Sequence, residues 1–280
     1  PRPPRLMQIH SLRAGHGWRW VRDGFALLGR QPAGLLVITF LNLMLLSLSV
    51  VVPLVGAVAP LMLTPVLMVG LMHAVRAADA GRIPSPLMLV AGFRDDGGTA
   101  WKPLLMLGAF NVIATLGALA LAALADGGTL MRLATGDAGG PDAGTTLPPG
   151  SSDAALFQAA AVFVLAYTPV QMAMWYAPMF VAWHRVPPAK ALFFSFFAVW
   201  RNKWTFLSFG LCWFAVAFIA SLGVRLLNAV LGDSPVLLSM LLSPLSLVLI
   251  TTVYCSFWAS YRDAIVDARL QPPGPGPLRG

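Results

Sequence analysis

Long apolar runs joined by short basic segments set the pattern of this chain. The runs fall at about 34–54, 58–78, 103–124, 155–183, 205–226 and 235–260. Each approaches or exceeds the roughly 20 apolar residues that a helix needs to cross a hydrocarbon core of about 30 Å. No charge occurs from Gly34 to Met72, which is too long for one span. Pro53, Gly56 and Pro60 mark the turn that divides it into two. The pattern predicts an all-α, polytopic membrane protein with six transmembrane helices.

The runs pair up. A hydroxyl residue followed by proline sits in the second run of each pair, at Thr64-Pro65, Thr168-Pro169 and Ser243-Pro244. Each of these runs ends in a basic residue: Arg76, Arg185 or Arg262. The prolines are 104 and 75 residues apart, and removing the 29-residue polar insert Asp126–Ala154 makes the two gaps equal. The chain thus reads as a single membrane domain over 1–280, built from three pseudo-repeats at about 15–80, 84–186 and 187–264. Each repeat opens with a segment suited to the membrane interface. In the first, Trp18, Val21, Phe25 and Leu28 recur at helical spacing, with Arg19, Arg22 and Asp23 off that stripe. Such a helix can lie flat in the headgroup region. The second opens at Ser85-Pro86, a cap with proline at the first helical position, and runs to Arg94; the third follows Pro187-Pro188. Trp18, Trp20, Trp101, Trp200 and Trp204 are expected at the inner interface, where tryptophan is favoured.

Composition agrees with this reading. Apolar residues make up 58% and charged residues 11%, against about 25% charged in soluble domains. The polar insert 126–154 cannot bury enough apolar surface to offset its ordering entropy, so a mobile outer loop is expected there. A disordered tail is expected over 271–280. The segment before the first run is too long for a signal peptide, so that run reads as an uncleaved span. Met7 is a candidate native start.

The basic residues set the orientation. Of the 19 Lys and Arg, 17 lie in the N-terminal arm, the loops after runs two and four, and the tail; Arg132 and Arg225 lie on the other side. Loops rich in such residues stay in the cytoplasm. Both termini are therefore predicted cytoplasmic, in a bacterial inner membrane. The net charge of +8 is explained by topology and by anionic lipid headgroups, each basic residue near the surface contributing about 1 kcal/mol. No nucleic-acid partner is expected.

Candidate chemistry is sparse. There is no glutamate, and no aspartate lies centrally in a run. A carboxylate at bilayer depth is commonly retained for coupled transport, and paired carboxylates serve general acid and base work. Neither is present. His73 and His184 end the second helices of the first two repeats without ligand-spaced partners. Cys212 and Cys255 read as reduced core residues. Met62, Met68, Met72, Met172, Met174 and Met179 suit cuprous ion less well than packing. No metal, cofactor or catalytic residue is expected.

Three polar positions are weak candidates for substrate binding. Asn42 and Asn111 each sit nine residues into a first span, where a buried amide joins helices or lines a cavity. Arg225 ends run five and can snorkel outward towards Asp233, or bind an anion. The prolines are expected to kink their helices, with the preceding Thr or Ser hydroxyl serving the freed carbonyl. Three kinked helices about one axis could open a pocket, or simply fit the packing.

The segment Gly17-Trp18 to Gly24-Phe25, Arg30 to Pro32, the hairpin Pro53-Leu54-Val55-Gly56, and Ala91-Gly92-Phe93-Arg94 together resemble an uncharacterised family of six-span proteobacterial inner-membrane proteins. The repeated plan is more distantly similar to the membrane domain of some glycerophosphodiester phosphodiesterases, whose catalytic domain has no counterpart here. The resemblance implies a fold and an inner membrane, and no activity. The expected role is that of a non-enzymatic scaffold, accessory subunit or envelope-homeostasis factor, with membrane lipids and a membrane-protein partner or a second copy as its contacts. The alternative is a passive channel or carrier for lipid-like or small neutral solutes.

Overall fold

The computed structural model describes residues 8–51, 56, 58–93, 101–128, 153–231 and 235–266. Its helices are α1 (His16–Arg30), α2 (Pro32–Val50), α3 (Ala59–Asp79), α4 (Trp101–Asp126), α5 (Asp153–Met174), α6 (Ala177–His184), α7 (Pro188–Arg201), α8 (Lys203–Leu231) and α9 (Pro235–Ala264). A 3-10 turn occupies Pro86–Val90. The strands β1 (Gln8–Ile9) and β2 (Ile265–Val266) pair antiparallel, Gln8 with Val266 and Ile9 with Ile265. Six helical segments are long and apolar enough to cross a membrane: Pro32–Val50, Ala59–Asp79, Trp101–Ala125, Ala154–His184, Lys203–Asn228 and Ser239–Ala264. These match the six runs, and the chain is an all-α polytopic membrane protein. The expected outer loop, beyond its helical ends, and the tail 271–280 lie outside the described residues, as do Met7, Pro53 and Asp233.

The spans are apolar outside. On α2, Val37, Phe40, Met44 and Leu48 are exposed at helical spacing, while Leu35, Ile38, Thr39 and Asn42 are buried. On α8, Leu207, Leu211, Phe214, Phe218, Leu222 and Leu226 are exposed. Helices of this kind satisfy their backbone internally and can present apolar side chains to lipid.

The chain forms two compact units. One comprises Pro1–Asn42, Gly70–Leu89 and Ala198–Gly280. Here α1 packs on α8 and α9 through a face of Gly17, Trp20, Val21, Gly24, Leu27 and Leu28. Gly17 and Gly24, two turns apart, make the approach possible. A Cβ on Gly17 would lie 2.5 Å from the Phe209 amide nitrogen, and one on Gly24 would lie 2.9 Å from the Thr252 carbonyl oxygen. This corrects the expected stripe: Val21 and Leu28 are buried in protein, and only Trp18 and Phe25 are exposed. Trp20 is also not an interface marker. It is fully buried, edge-on to Phe206 and Phe209, because tertiary packing captured the more central of two neighbouring indoles. In the second repeat, the expected opening helix begins as the 3-10 turn, whose Leu89 is buried and seated on Gly70, and residues 91–93 that follow it are α-helical. The N-terminal arm is stitched to the start of α8. Asn202 accepts from the Leu12 amide at 2.8 Å and donates to the His10 carbonyl at 3.0 Å, and the Thr205 hydroxyl donates to the Leu12 carbonyl at 3.3 Å.

The other unit comprises Leu43–Val69 and Val90–Phe197. Its α4 and α5 pack along their lengths. Gly108 of α4 lies against the Met62 backbone, where a Cβ would come 2.9 Å from the Met62 carbonyl carbon.

Candidate functional site

The densest polar constellation is one that the sequence reading missed. Arg262 of α9 reaches three carboxylates: Asp23 of α1 at 3.3 Å, Asp79 of α3 at 3.5 Å and Asp263 at 3.4 Å. Arg30 Nη1 meets Asp79 Oδ1 at 3.2 Å, and Arg22 Nη2 meets Asp23 Oδ1 at 3.5 Å. Two indoles complete it. Trp20 Nε1 donates to Asp263 Oδ2 at 3.1 Å and Trp258 Nε1 to Asp79 Oδ2 at 2.9 Å. Every carboxylate oxygen of the three aspartates is thereby used, and three arginines balance three aspartates. A cleft of about 460 Å³ beside the cluster is lined by Leu12, His16, Arg19, Arg22, Asp23 and Asp263. The residues of the cluster lie far apart in sequence, up to 243 positions for Trp20 and Asp263. The local signals were two doublets, Arg22-Asp23 in the N-terminal arm and Arg262-Asp263 at the end of the last apolar run.

The proline sites are as expected in position and different in wiring. Pro65, Pro169 and Pro244 each lie inside a helix. The Thr64, Thr168 and Ser243 hydroxyls donate to Pro60, Val164 and Ser239 carbonyls at 2.7, 2.6 and 2.8 Å. Each is the carbonyl four residues before the hydroxyl, the usual local back-bond of a helical Ser or Thr. The carbonyl that Pro65 frees is that of Leu61, one residue later, since a proline removes the bond to its own fourth predecessor. Leu61 is served instead by Asn111 Nδ2 at 3.3 Å, and the Tyr167 hydroxyl donates to Asn111 Oδ1 at 3.0 Å. Asn111 therefore joins α3, α4 and α5. Pro65 is buried, whereas Pro169 and Pro244 are exposed.

The fourth span carries a second irregularity that its apolar sequence hid. The helix breaks at Trp175 and Tyr176 between α5 and α6, with Pro178 near the restart. Ser195 of α7 closes the gap. Its hydroxyl accepts from the Tyr176 amide at 2.9 Å and donates to the Met172 carbonyl at 2.9 Å.

Asn42 and Arg225 lie in the other unit. The Asn42 side chain lies beside the Tyr254 hydroxyl. Its oxygen, and the Thr39 hydroxyl one turn away, are buried with no hydrogen-bond partner among the described residues. Arg225 is exposed, and lines a cleft of about 450 Å³ between α8 and α9 with Ala220, Ser221, Val224, Asn228, Leu242, Leu245, Ser246 and Leu249. Among the described residues no group of three His, Cys, Asp or Glu side chains is placed to hold a metal. Cys212 and Cys255 are free, the latter buried. Met72 and Met179 are fully buried, and Met174 nearly so.

A probable inner membrane protein of Burkholderia thailandensis is 40% identical to this chain over 271 residues, covering 96% of each. No protein-family model matches the chain, and no solved structure matches it. The likeness to the membrane domain of glycerophosphodiester phosphodiesterases finds no support in these comparisons. Identity of this extent over nearly the full length of both proteins, together with six apolar helices, makes this chain a multi-pass inner-membrane protein that belongs to the family of the Burkholderia thailandensis protein.

Proposed function

We propose that the protein is a non-enzymatic inner-membrane scaffold or accessory subunit, with both termini in the cytoplasm. The observation that carries this reading is the fate of its ionisable groups. The three aspartates that the fold gathers have all their oxygens engaged by Arg22, Arg30, Arg262, Trp20 and Trp258. A general acid or base must reach the proton that it moves, and these carboxylates are used to fasten helices. Asn111 is likewise engaged by Leu61 and Tyr167. Anionic lipid headgroups along the basic face, and a membrane-protein partner or second copy, are the contacts that this role requires.

Purification in mild detergent tests it. A stoichiometric, specific partner is the expected result. A protein that is always recovered alone, and that moves neutral solutes across liposomes, would reject the scaffold role in favour of a passive channel or carrier. A reporter fused after Gly280 should read cytoplasmic.

A further inference from the structure

We propose that the cleft between α8 and α9 is a phospholipid site, with Arg225 binding the phosphate and the apolar floor holding the first part of an acyl chain. The two helices touch sparingly, and the space between them is about 450 Å³, within the range of about 300–1,000 Å³ common to ligand sites. Its lining is mostly apolar. Arg225 and Asn228 stand towards the end of α8, Ala220, Val224, Leu242, Leu245 and Leu249 supply the apolar surface, and Ser221 and Ser246 lie among them. From Ala220 to Asn228 the cleft runs about 12 Å at 1.5 Å per residue.

The occupant follows from charge. Apart from Lys203 at its first residue, Arg225 is the one charged residue in the sequence of α8, and α9 carries charge only at Arg262 and Asp263. No described residue pairs with Arg225. A cation within a membrane span is costly unless it pairs or reaches a polar layer. A guanidinium presents a planar fork of donors that matches a phosphate. Ser246 lies across the cleft, on α9. A phospholipid supplies both the phosphate for the rim and the chain for the floor. A free phosphate would leave the floor empty, and an acidic partner helix would need more width than one chain does.

Native mass spectrometry of the full protein in mild detergent tests this. The probes are phosphatidylglycerol and diacylglycerol with the same acyl chains, and inorganic phosphate as a separate arm. Phosphatidylglycerol should be retained at least about fivefold over diacylglycerol. Arg225→Gln should lower that retention about tenfold, with Arg225→Lys intermediate. Ser47→Ala, at an exposed position of α2 that does not line the cleft, should stay within twofold of the parent. Ser246→Phe, which fills the cleft from α9 and spares Arg225, should also lower retention, and it decides the matter if Arg225→Gln does not fold. Retention within twofold of the parent in either folded variant overturns the proposal. So does millimolar inorganic phosphate that displaces the lipid and still binds Ser246→Phe, or a protein partner crosslinked at position 225.

Discussion

At the scale of single residues, adjacent tryptophans show how tertiary context divides one composition into two roles. Trp18 and Trp20 both lie in a basic, aromatic segment that reads as interfacial. Trp18 is 57% exposed, while Trp20 is 0% exposed. Two positions on a helix differ by about 200° of rotation, so one indole meets the bundle when the other faces away. Burial of Trp20 leaves its N–H in need of an acceptor, and Asp263 Oδ2 provides it at 3.1 Å. A hydrogen bond to a charged group contributes about 1.5–3 kcal/mol. Trp20→Phe keeps the edge-on contacts with Phe206 and Phe209 but removes the donor, so it should destabilise by about that amount. Trp18→Phe should stay within about 0.5 kcal/mol of the parent. Denaturant unfolding in detergent compares the two. Equal effects would mean that the indole–carboxylate bond contributes nothing.

At the scale of elements, the six spans were legible because an uninterrupted apolar run needs no partner to be recognised. Their interruptions were legible only in part. Proline announces itself, so Pro65, Pro169 and Pro244 were placed inside helices in advance. The carbonyl bonded by the neighbouring hydroxyl was misassigned by one residue, because the back-bond geometry belongs to the hydroxyl and not to the proline. The break at Trp175 and Tyr176 carries no such mark. It depends on Ser195, about twenty residues away in sequence, which satisfies both Tyr176 and Met172. Asn111 was identified as a buried amide, but its partners became visible only when α3, α4 and α5 were together. The Leu61 carbonyl lacks a helical donor because Pro65 has none, and this makes a two-residue test available. Asn111→Ala should cost about 1–2 kcal/mol, the range for interhelical polar contacts. Pro65→Ala restores an N–H four residues after Leu61 and removes the need for Asn111. The double variant should therefore be less destabilised than the sum of the single variants by about 1 kcal/mol. Agreement with the sum to within about 0.5 kcal/mol, the margin for independent sites, would show that the amide and the proline are not coupled.

At the scale of the whole molecule, the basic residues argue that both chain ends share a compartment, and the structure brings those ends together by a different route. Gln8 and Ile9 pair with Val266 and Ile265. His10 donates its amide to the Ala264 carbonyl at 3.1 Å, and Asn202 and Thr205 hold the arm from the side of α8. A short, two-residue ladder contributes little by itself, since an isolated two-stranded pair is marginal in water. Its value is topological, because two segments that pair must lie on one side of a membrane, and the six apolar helices between residues 9 and 265 are even in number. The charge argument has a different origin, as it rests on where loops remain during insertion and not on what they contact afterwards. The two are therefore independent, and the pairing speaks only of the two segments that it joins. Paired residues in an antiparallel ladder have Cα atoms about 4.5–5.5 Å apart, inside the range of about 4.4–6.8 Å that a disulfide requires. With Cys212 and Cys255 replaced by serine, Gln8→Cys together with Val266→Cys should crosslink under mild oxidation of the purified protein. The oxidised protein should migrate as a compact monomer that reverts on reduction. Shifting the second cysteine to Ile265 should reduce the yield several-fold, because side chains on successive strand residues point to opposite faces. Equal yields from both pairs would show that the arm is not held in register, and no monomeric crosslink from either would place the two ends apart.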